Sequence, residues 1–206
     1  MGGVSDQHYF TASPAARAAE RRHRFTIRGR EVEVTTASGV FSADRLDKGT
    51  RVLLDHVPDP PETGRFLDLG CGWGPIALAL GSASPAAEVL AADTNERAVD
   101  LTARNAEAAG LGGVRAAPAG ALLTELRASG RRLDLIWSNP PVRIGKEALH
   151  ALLTDWLPLL ADDGEAWLVV GKNLGADSLA AWLASQGWAV AREASAKGFR
   201  VLRVSR

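Results

Sequence analysis

The sequence FLDLGCGWGP occupies residues 66–75, and the rest of the chain is arranged around it. Its first half is an apolar run typical of a buried strand, and three glycines then follow at alternate positions. Glycine lets a backbone turn with positive φ and brings bare peptide groups close to a ligand. Pro75 suits the first turn of a helix, where its missing N–H costs nothing. The stretch therefore predicts a strand, a tight turn and the start of a helix.

The glycine spacing bears on the kind of ligand. A dinucleotide fingerprint has the form G-x-G-x-x-G, whereas here Gly70, Gly72 and Gly74 alternate and Pro75 stands where the third fingerprint glycine would fall. Asp68 precedes the turn; its carboxylate would repel a pyrophosphate but can accept hydrogen bonds from a cationic amino group. The turn alone leaves a dinucleotide site or a simple tight connection open. A ligand with an ammonium group and no phosphate fits better.

Composition limits the class of protein. The 206 residues are enough for one domain with a large core, and 46% hydrophobic and 23% charged residues are ordinary for a globular protein. The formal net charge of zero argues against an overall polyanion binder. Cys71 is the single cysteine, which excludes an intramolecular disulfide, and its place in the glycine turn favours packing against a ligand over a catalytic thiol. With neither a signal-like N-terminus nor a long apolar run, a cytoplasmic protein without membrane association is expected.

Strand and helix patterns alternate from about residue 65 onward. We predict strands near 65–69, 88–92, 113–117, 133–138, 165–170, 188–194 and 199–204, and helices near 74–82, 95–109, 120–128, 145–160 and 175–186. Such alternation predicts parallel strands with helices on both faces. The short connection between the last two strands predicts an antiparallel hairpin. The fold class is α/β, with a doubly wound, mostly parallel sheet over residues 61–206.

Residues 1–60 are predicted to form an appendage packed on this domain. Residues 25–28 and 32–35 alternate apolar and polar side chains around a glycine turn, which predicts a hairpin. A short strand is expected over 39–42, followed by a helix that Thr50 caps. The aromatic residues His8, Tyr9 and Phe10 indicate that the leader docks on the domain.

Arginines are concentrated between positions 17 and 30. The members are Arg17, Arg21, Arg22, Arg24, Arg28 and Arg30, against a single acid, Glu20. This pattern is typical of a phosphate-contacting arm, and it is equally that of a solvated surface. Arg21, Arg22 and Arg24 are the candidate substrate contacts.

Two further strand ends carry candidate site residues. The strand near 88–92 ends at Asp93-Thr94-Asn95, where Asp93 can accept both hydroxyls of a ribose. The alternative role for these three residues is capping of the next helix. The strand near 133–138 ends at Asn139-Pro140-Pro141, and Pro140 pushes Asn139 away from helical geometry. Asn-Pro can simply begin a turn, but at the carboxyl edge of such a sheet it also aims a side-chain amide at the ligand site.

An amide at that point suits one kind of chemistry. An exocyclic amine on a base, or a side-chain amide nitrogen, is a poor nucleophile because its lone pair is delocalised. If the Asn139 side-chain oxygen and the Pro140 carbonyl each accept one N–H, the lone pair points in a fixed direction. This is catalysis by positioning and by stabilising developing positive charge. Asn139, Pro140 and Pro141 are therefore the candidate catalytic residues.

The glycine turn resembles that of class I S-adenosylmethionine-dependent methyltransferases, and Asn139-Pro140-Pro141 resembles the signature of those that act on planar amino groups. Together with His8-Tyr9-Phe10, residues 39–42 and residues 46–50, the chain resembles the ribosomal small-subunit RNA guanine-N2 methyltransferases of the C type. The resemblance implies a Rossmann-like fold, no metal, and methylation of a guanine N2 in 16S ribosomal RNA, with ribosomal RNA or the small ribosomal subunit as partner. It implies S-adenosylmethionine as cofactor, contacted by Asp68, Gly70, Cys71, Gly72, Gly74, Asp93, Thr94 and Asn139.

The sequence departs from the family pattern after the prolines. Val142 stands where an aromatic residue usually stacks on the base, so Phe41, Trp73 or the Arg143 guanidinium would have to supply that contact. Phe41, Val142 and Arg143 are therefore also substrate-contact candidates. Two other functions stay open: a protein glutamine N-methyltransferase, and a catalytically silent module that binds RNA or a partner. A monomer is expected.

Overall fold

The computed structural model describes residues 20–141 and 145–206. The expectations for His8-Tyr9-Phe10, Arg17, Val142 and Arg143 lie outside these residues. The strands are β1 Glu20–Ile27, β2 Arg30–Ala37, β3 Arg65–Leu69, β4 Glu88–Asp93, β5 Val114–Pro118, β6 Leu133–Ser138, β7 Leu160–Gly171, β8 Ala189–Ala196 and β9 Phe199–Ser205. The helices are α1 Lys48–His56, α2 Pro75–Ala83, α3 Glu96–Ala108, α4 Ala119–Ser129, α5 Lys146–Trp156 and α6 Ala176–Ser185. Within the described ranges, none of these helices has the length and apolar character needed to cross a bilayer.

Seven strands form the main sheet in the order β5-β4-β3-β6-β7-β9-β8. The strands from β5 to β7 are parallel, whereas β9 is antiparallel to both β7 and β8. The predicted doubly wound sheet with a C-terminal antiparallel pair is therefore confirmed. We call the edge where β3, β4, β6 and β7 end the carboxyl edge, and the opposite one the amino edge.

Alternate residues of the central strands face two separate cores. Phe66 and Trp137 point to the side covered by α1, α2 and α3, and Leu67 and Ile136 point to the side covered by α4, α5 and α6. All four side chains are fully buried. Burying an apolar side chain of this size contributes about 1.5–3 kcal/mol, so packing on both faces holds the sheet. Near-continuous apolar strands are what a sheet covered on both faces requires.

The predicted bounds of the strands and helices agree best with the structure around the glycine turn and least well before β7. The helix predicted over 145–160 ends at Trp156, and a short 3₁₀ turn over Leu157–Leu159 follows. Pro158 lies in this turn, where its ring and missing N–H are incompatible with continuing the helix. The strand predicted at 165–170 begins earlier, at Leu160, and a register shift against β6 accommodates the extra residues.

Two predictions for the N-terminal segment were wrong. Residues 39–42 form a turn and not a strand, because Gly39 and Ser42 adopt positive φ values of 85° and 56°. The helix is capped by Asp47 and not by Thr50: the Asp47 carboxylate accepts the N–H groups of Gly49 and Thr50, and α1 begins at Lys48. Aspartate is at least as good an N-cap as threonine, so the helix begins directly after Asp47.

A buried side chain of α3 helps to attach the β1–β2 hairpin to the rest of the domain. Asn105 of α3 accepts the Thr35 N–H at 2.7 Å and donates to the carbonyl oxygens of Thr35, at 2.9 Å, and Trp73, at 2.8 Å. Apolar residues of the hairpin, among them Ile27 and Val34, pack in the same core as α2 and α3. The division at residue 60 stays a prediction.

Replacing Asn105 with Ala should lower the free energy of unfolding by about 1–3 kcal/mol, because buried backbone groups lose their partners. Denaturant-induced unfolding followed by circular dichroism measures this. Glu107→Ala is the matched control, since Glu107 is exposed on the same helix, and it should stay within about 0.5 kcal/mol of wild type. Equal stabilities for the two variants would contradict the role given to Asn105.

Candidate functional site

The turn between β3 and α2 has the geometry predicted from its glycines. Gly70, Gly72 and Gly74 all have positive φ, and the N–H groups of Gly70 and Cys71 both donate to the Ala92 carbonyl, at 2.8 and 3.1 Å. The turn is thus fixed to the end of the neighbouring strand β4.

The glycines of the turn serve different purposes. A Cβ on Gly72 would have no atom within 4 Å, so its peptide faces open space where a ligand can approach. A Cβ on Gly74 would meet the Thr102 side chain at 3.0–3.3 Å, so this glycine allows α3 to pack closely. The contact of Gly72 with a ligand stays a prediction, but the space for it is present.

Asp93 is placed beside the turn. One of its carboxylate oxygens accepts the Gly72 N–H at 3.0 Å and the other accepts the Asn95 N–H at 2.9 Å. Each oxygen keeps a further lone pair, so the carboxylate can shape the turn and still accept ribose hydroxyls. Capping of α3 falls to Asn95, whose side chain accepts the Arg97 N–H, while Thr94 is exposed.

Asp68 is completely buried at the end of β3. Its Oδ2 accepts the Ala77 N–H of α2 at 2.9 Å, and its Oδ1 has no hydrogen-bond partner among the described residues. Burial, with a smaller contribution from the charge of Asp93, raises the pKa of Asp68 to about 8. A buried carboxyl oxygen without a donor is costly, and a cationic donor from a ligand would satisfy it.

Cys71 and Trp73 have packing roles. Burial raises the pKa of the Cys71 thiol well above its usual range, so the thiolate needed for a nucleophile does not form near neutral pH. Trp73 is buried, stacks on Phe25 with ring centroids 5.2 Å apart, and donates its indole N–H to the Ser42 carbonyl. The Trp73 ring is therefore not free to stack on a base.

The Asn139 side chain is held by the N-terminus of α1. Its Nδ2 donates to Asp47 Oδ2 at 2.9 Å and to Thr50 Oγ1 at 3.0 Å. Both amide hydrogens are then used. The described residues provide no donor for the Asn139 Oδ1 atom, so this atom is left as a hydrogen-bond acceptor. Asp47 Oδ2 also accepts the Gly49 and Thr50 N–H groups, so one oxygen both caps the helix and orients Asn139.

The backbone around Asn139 is fixed from two sides. The Ser138 hydroxyl donates to the Leu69 carbonyl at 2.6 Å, which joins the carboxyl ends of β6 and β3. A Cβ on Gly49 would lie 3.0 Å from Asp47 Oδ2 and 3.3 Å from Asn139 Nδ2. A side chain at position 49 would therefore crowd the atoms that orient Asn139.

The glycine turn and the Asn139 amide line one cleft at the carboxyl edge. Its lining includes Phe41, Asp47, Gly70, Gly72, Trp73 and Asn139. Phe41 is 61% exposed, so of the residues considered for base stacking it is the described one with a free aromatic face. The structure thus brings together residues predicted from three separate parts of the chain. In the described ranges, no three His, Cys, Asp or Glu side chains are grouped as metal ligands would be.

The arginines of β1 are largely engaged within the protein. Arg21 pairs with Asp44 and Arg24 with Glu33, and all four side chains are exposed. Arg22 is exposed beside Glu33 on the hairpin surface. Phosphate contact by Arg21, Arg22 and Arg24 stays a prediction, and such contact would have to compete with the acids at two of these positions.

A larger groove of about 360 Å³ lies elsewhere, between α5, α6 and the end of β9. Among the described residues that line it, Arg206 is the one charged side chain; it lies 5.6 Å over the Trp188 ring and donates to the Pro158 carbonyl. This groove contains no pair of groups suited to acid–base or nucleophilic chemistry. The cleft at the carboxyl edge, where ligands of open α/β sheets bind, is the better candidate site.

The sequence interpretation missed the roles of Asp47 and Asn105. A signal was present for Asp47, because Asp-Lys-Gly-Thr before an apolar run is a strong N-cap pattern. Asn105 lies in the middle of a helix with no local signal that its amide is buried.

Comparison with known proteins gives the family. The model of the methyltransferase small domain matches residues 31–203. An uncharacterised Bacillus subtilis protein, YbxB, is 36% identical over 172 residues, which are 84% of this chain and 85% of that protein. The ribosomal RNA small subunit methyltransferase C of Pseudomonas entomophila is 33% identical over 98% of this chain, and the ribosomal RNA large subunit methyltransferase G of Streptomyces coelicolor is 36% identical over 69%.

The chain spans only part of the relatives that carry a functional name: 59% of the Pseudomonas protein and 38% of the Streptomyces protein. A similar fold is found in the Thermus thermophilus 16S ribosomal RNA N2 G1207 methyltransferase, solved with AdoMet and guanosine. The TM-score is 0.73 at 24% identity, over 95% of this chain and 52% of that one.

The raised pKa of Asp68 predicts a pH dependence of stability. In the unfolded chain this carboxyl loses its proton near pH 3.8, and in the folded protein near pH 8, so the folded state holds more protons between these values. Stability from this group therefore falls as pH rises from about 4 to about 8, by up to about 1.4 kcal/mol per pH unit. Asp68→Asn removes this loss. The free energy of unfolding of the variant, measured relative to that of wild type, should therefore increase as the pH rises from 5 to 7.

Urea unfolding at several pH values tests this. Asp163→Asn, at an exposed position, is the control variant. Parallel pH profiles for wild type and Asp68→Asn would show that Asp68 ionises normally.

Proposed function

This chain belongs to the methyltransferase small domain family, and from this premise we propose that it methylates an exocyclic amino group of ribosomal RNA, with guanine N2 of 16S ribosomal RNA as the favoured target. The family makes it an S-adenosylmethionine-dependent methyltransferase. The position of the target nucleotide and the choice between small and large subunit are parts of the proposal, because the named relatives act on both subunits.

Residues that line the cleft or lie beside the glycine turn fit this cofactor. Gly72 leaves open space beside the turn, and Asp68 carries a buried oxygen without a donor. Asp93 keeps free lone pairs for two hydroxyls while it holds Gly72. We assign the amino-acid part of the cofactor to Asp68 and the turn, and the ribose to Asp93. When bound, S-adenosylmethionine supplies an electrophilic methyl group.

The observation that carries the proposal is the anchored amide of Asn139. Asn139 lines the cleft, and because its N–H groups are bound to Asp47 and Thr50, its side-chain oxygen is left to accept a hydrogen bond. An exocyclic amine that donates one N–H to this oxygen has its lone pair turned toward the ligand in the glycine turn. As the nitrogen becomes positive during transfer, the same hydrogen bond strengthens. We propose that the Pro140 carbonyl accepts the second N–H of the target amine.

The surroundings of the cleft support a nucleobase as the substrate group. The exposed ring of Phe41 lines the same space and can stack on a base that has left its helix, a contact worth about 1–3 kcal/mol per base. Aromatic stacking and amine positioning together favour a nucleobase over a flexible glutamine side chain.

Asn139→Ala should lower the rate of single-turnover methyl transfer by about 10²–10³, the usual cost of removing one such hydrogen bond in the transition state. Cofactor affinity measured by calorimetry should stay near wild type, because the turn and Asp93 are untouched. Thr50→Val and Asp47→Ser should lower the rate by roughly tenfold, since Asn139 keeps one anchor in each. Serine still caps α1, so Asp47→Ser should retain most of the stability that Asp47→Ala loses.

Transfer of labelled methyl groups to deproteinised 16S and 23S ribosomal RNA and to both ribosomal subunits, followed by mass mapping of nucleosides, tests the proposal. Thr124→Val, on the exposed surface of α4, is the control for Thr50→Val and should be fully active. A wild-type rate in Asn139→Ala would remove this residue from the mechanism. Methylation of a glutamine peptide without any RNA product would make the chain a protein methyltransferase, and no transfer at all would favour a silent module.

A further inference from the structure

The distribution of lysine in this protein is uneven. The sequence holds 24 basic residues, of which only Lys48, Lys146, Lys172 and Lys197 are lysines. Lys48 is the first residue of α1, and Lys146 is the first residue of α5, which follows β6. Lys172 follows the end of β7, and Lys197 lies in the turn between β8 and β9. All four therefore lie at the carboxyl edge, around the candidate site.

Contacts in the structure link three of these positions, those of Lys48, Lys172 and Lys197. The Lys172 N–H donates to the carbonyl of Gly198, the residue after Lys197, at 2.8 Å. The next residue, Phe199, lies against Gly49, with its ring 3.0 Å from the place of a Gly49 Cβ. Gly49 follows Lys48, and Asp47 before it holds Asn139. A single surface thus runs from the anchored amide to Lys197.

The lysines are not used for internal ion pairing. All four are exposed, and every ion pair between described residues has an arginine as its cation. Asp177, an acid close to this edge in sequence, is already paired with Arg192 and Arg200. Lys48 and Lys146 moreover occupy helix N-termini, where a cation is destabilising. Stability does not account for their placement.

Two exposed apolar side chains complete the surface. Among the large hydrophobic residues of the described chain, Phe41 and Leu174 are the exposed ones, at 61% and 58%. Phe41 lines the cleft and Leu174 lies two residues after Lys172. Unpaired cations next to an aromatic face are the pattern that binds single-stranded nucleic acid, by phosphate contact and base stacking.

We propose that Lys48, Lys146, Lys172 and Lys197 form a lysine rim that binds the phosphates of the RNA segment flanking the target base, with Phe41 stacking on a base at its centre. The proposal rests on the proposed function and assigns its RNA-docking surface. The rim is then the main phosphate contact, because two of the three arginines of β1, Arg21 and Arg24, already have acidic partners.

Salt dependence of RNA binding tests the rim. The probe is a fluorescein-labelled 20-nucleotide single-stranded RNA, with deproteinised 16S ribosomal RNA as a second probe. Each phosphate contact contributes about 0.7 to the slope of log affinity against log salt concentration for single strands. Replacing all four lysines with glutamine should therefore reduce the slope by about 3 and weaken binding at least 100-fold near 0.1 M salt. Replacing them with arginine should restore binding.

The matched control carries glutamine in place of Arg30, Arg131, Arg132 and Arg206, and thus loses four positive charges at the amino edge. Its slope should change by less than about 0.5. Calorimetric binding of S-adenosylmethionine shows that each variant is folded. If the fourfold glutamine variant does not fold, the single variants Lys172→Gln and Lys197→Gln replace it, and each should lower the slope by about 0.7.

The outcomes separate this inference from the proposed function. If the wild type methylates RNA but the lysine variant keeps the wild-type slope, or the control loses as much, the rim is wrong and the function stands. If the wild type neither binds nor methylates RNA, the function itself fails. If the lysines are needed for binding an acidic glutamine-containing peptide instead, the rim serves a protein partner and the proposal is overturned.

Discussion

The arrangement of this molecule depends on the hydrogen bonds that join the Asn139 amide to the first turn of α1. Asp47 Oδ2 receives three N–H donors, two from its own helix and one from a side chain 92 positions further along the chain. A local capping interaction and a long-range one therefore share a single oxygen. Any displacement of α1 moves the Asn139 side chain, so the N-terminal segment contributes to the candidate site and is not only a cover for the sheet.

The parts of the fold that the sequence predicted are those governed by local rules. The glycine turn, the alternation of strand and helix and the C-terminal hairpin follow from backbone preferences and periodicity, and all are present. Thr50 was predicted as the cap of α1, but Asp47 is the cap, and the Thr50 hydroxyl accepts an N–H of Asn139. Residues 39–42 were predicted as a strand from their apolar character, but Ser42 takes a left-handed conformation and its carbonyl accepts the Trp73 indole N–H.

Residues in and behind the glycine turn are poorly chosen for stability alone. Asp68 is buried with one oxygen unpartnered, and Gly72 leaves space that a side chain would fill. Natural proteins accept such local costs where a ligand later satisfies them. The sequence indicated the chemistry of these positions. It did not predict the ion-pair partners of Arg21 and Arg24, because Asp44 and Glu33 come from other segments of the chain.

The Asn105 contact has a consequence for self-association. A two-stranded hairpin leaves an outer edge whose unpaired N–H and C=O groups can template pairing with another chain. On β2 the Thr35 N–H and carbonyl are both occupied by one side-chain amide, which imitates the pair of bonds that an added strand would form. With α3 in place, this point of the β2 edge is therefore closed to pairing with a strand of another chain.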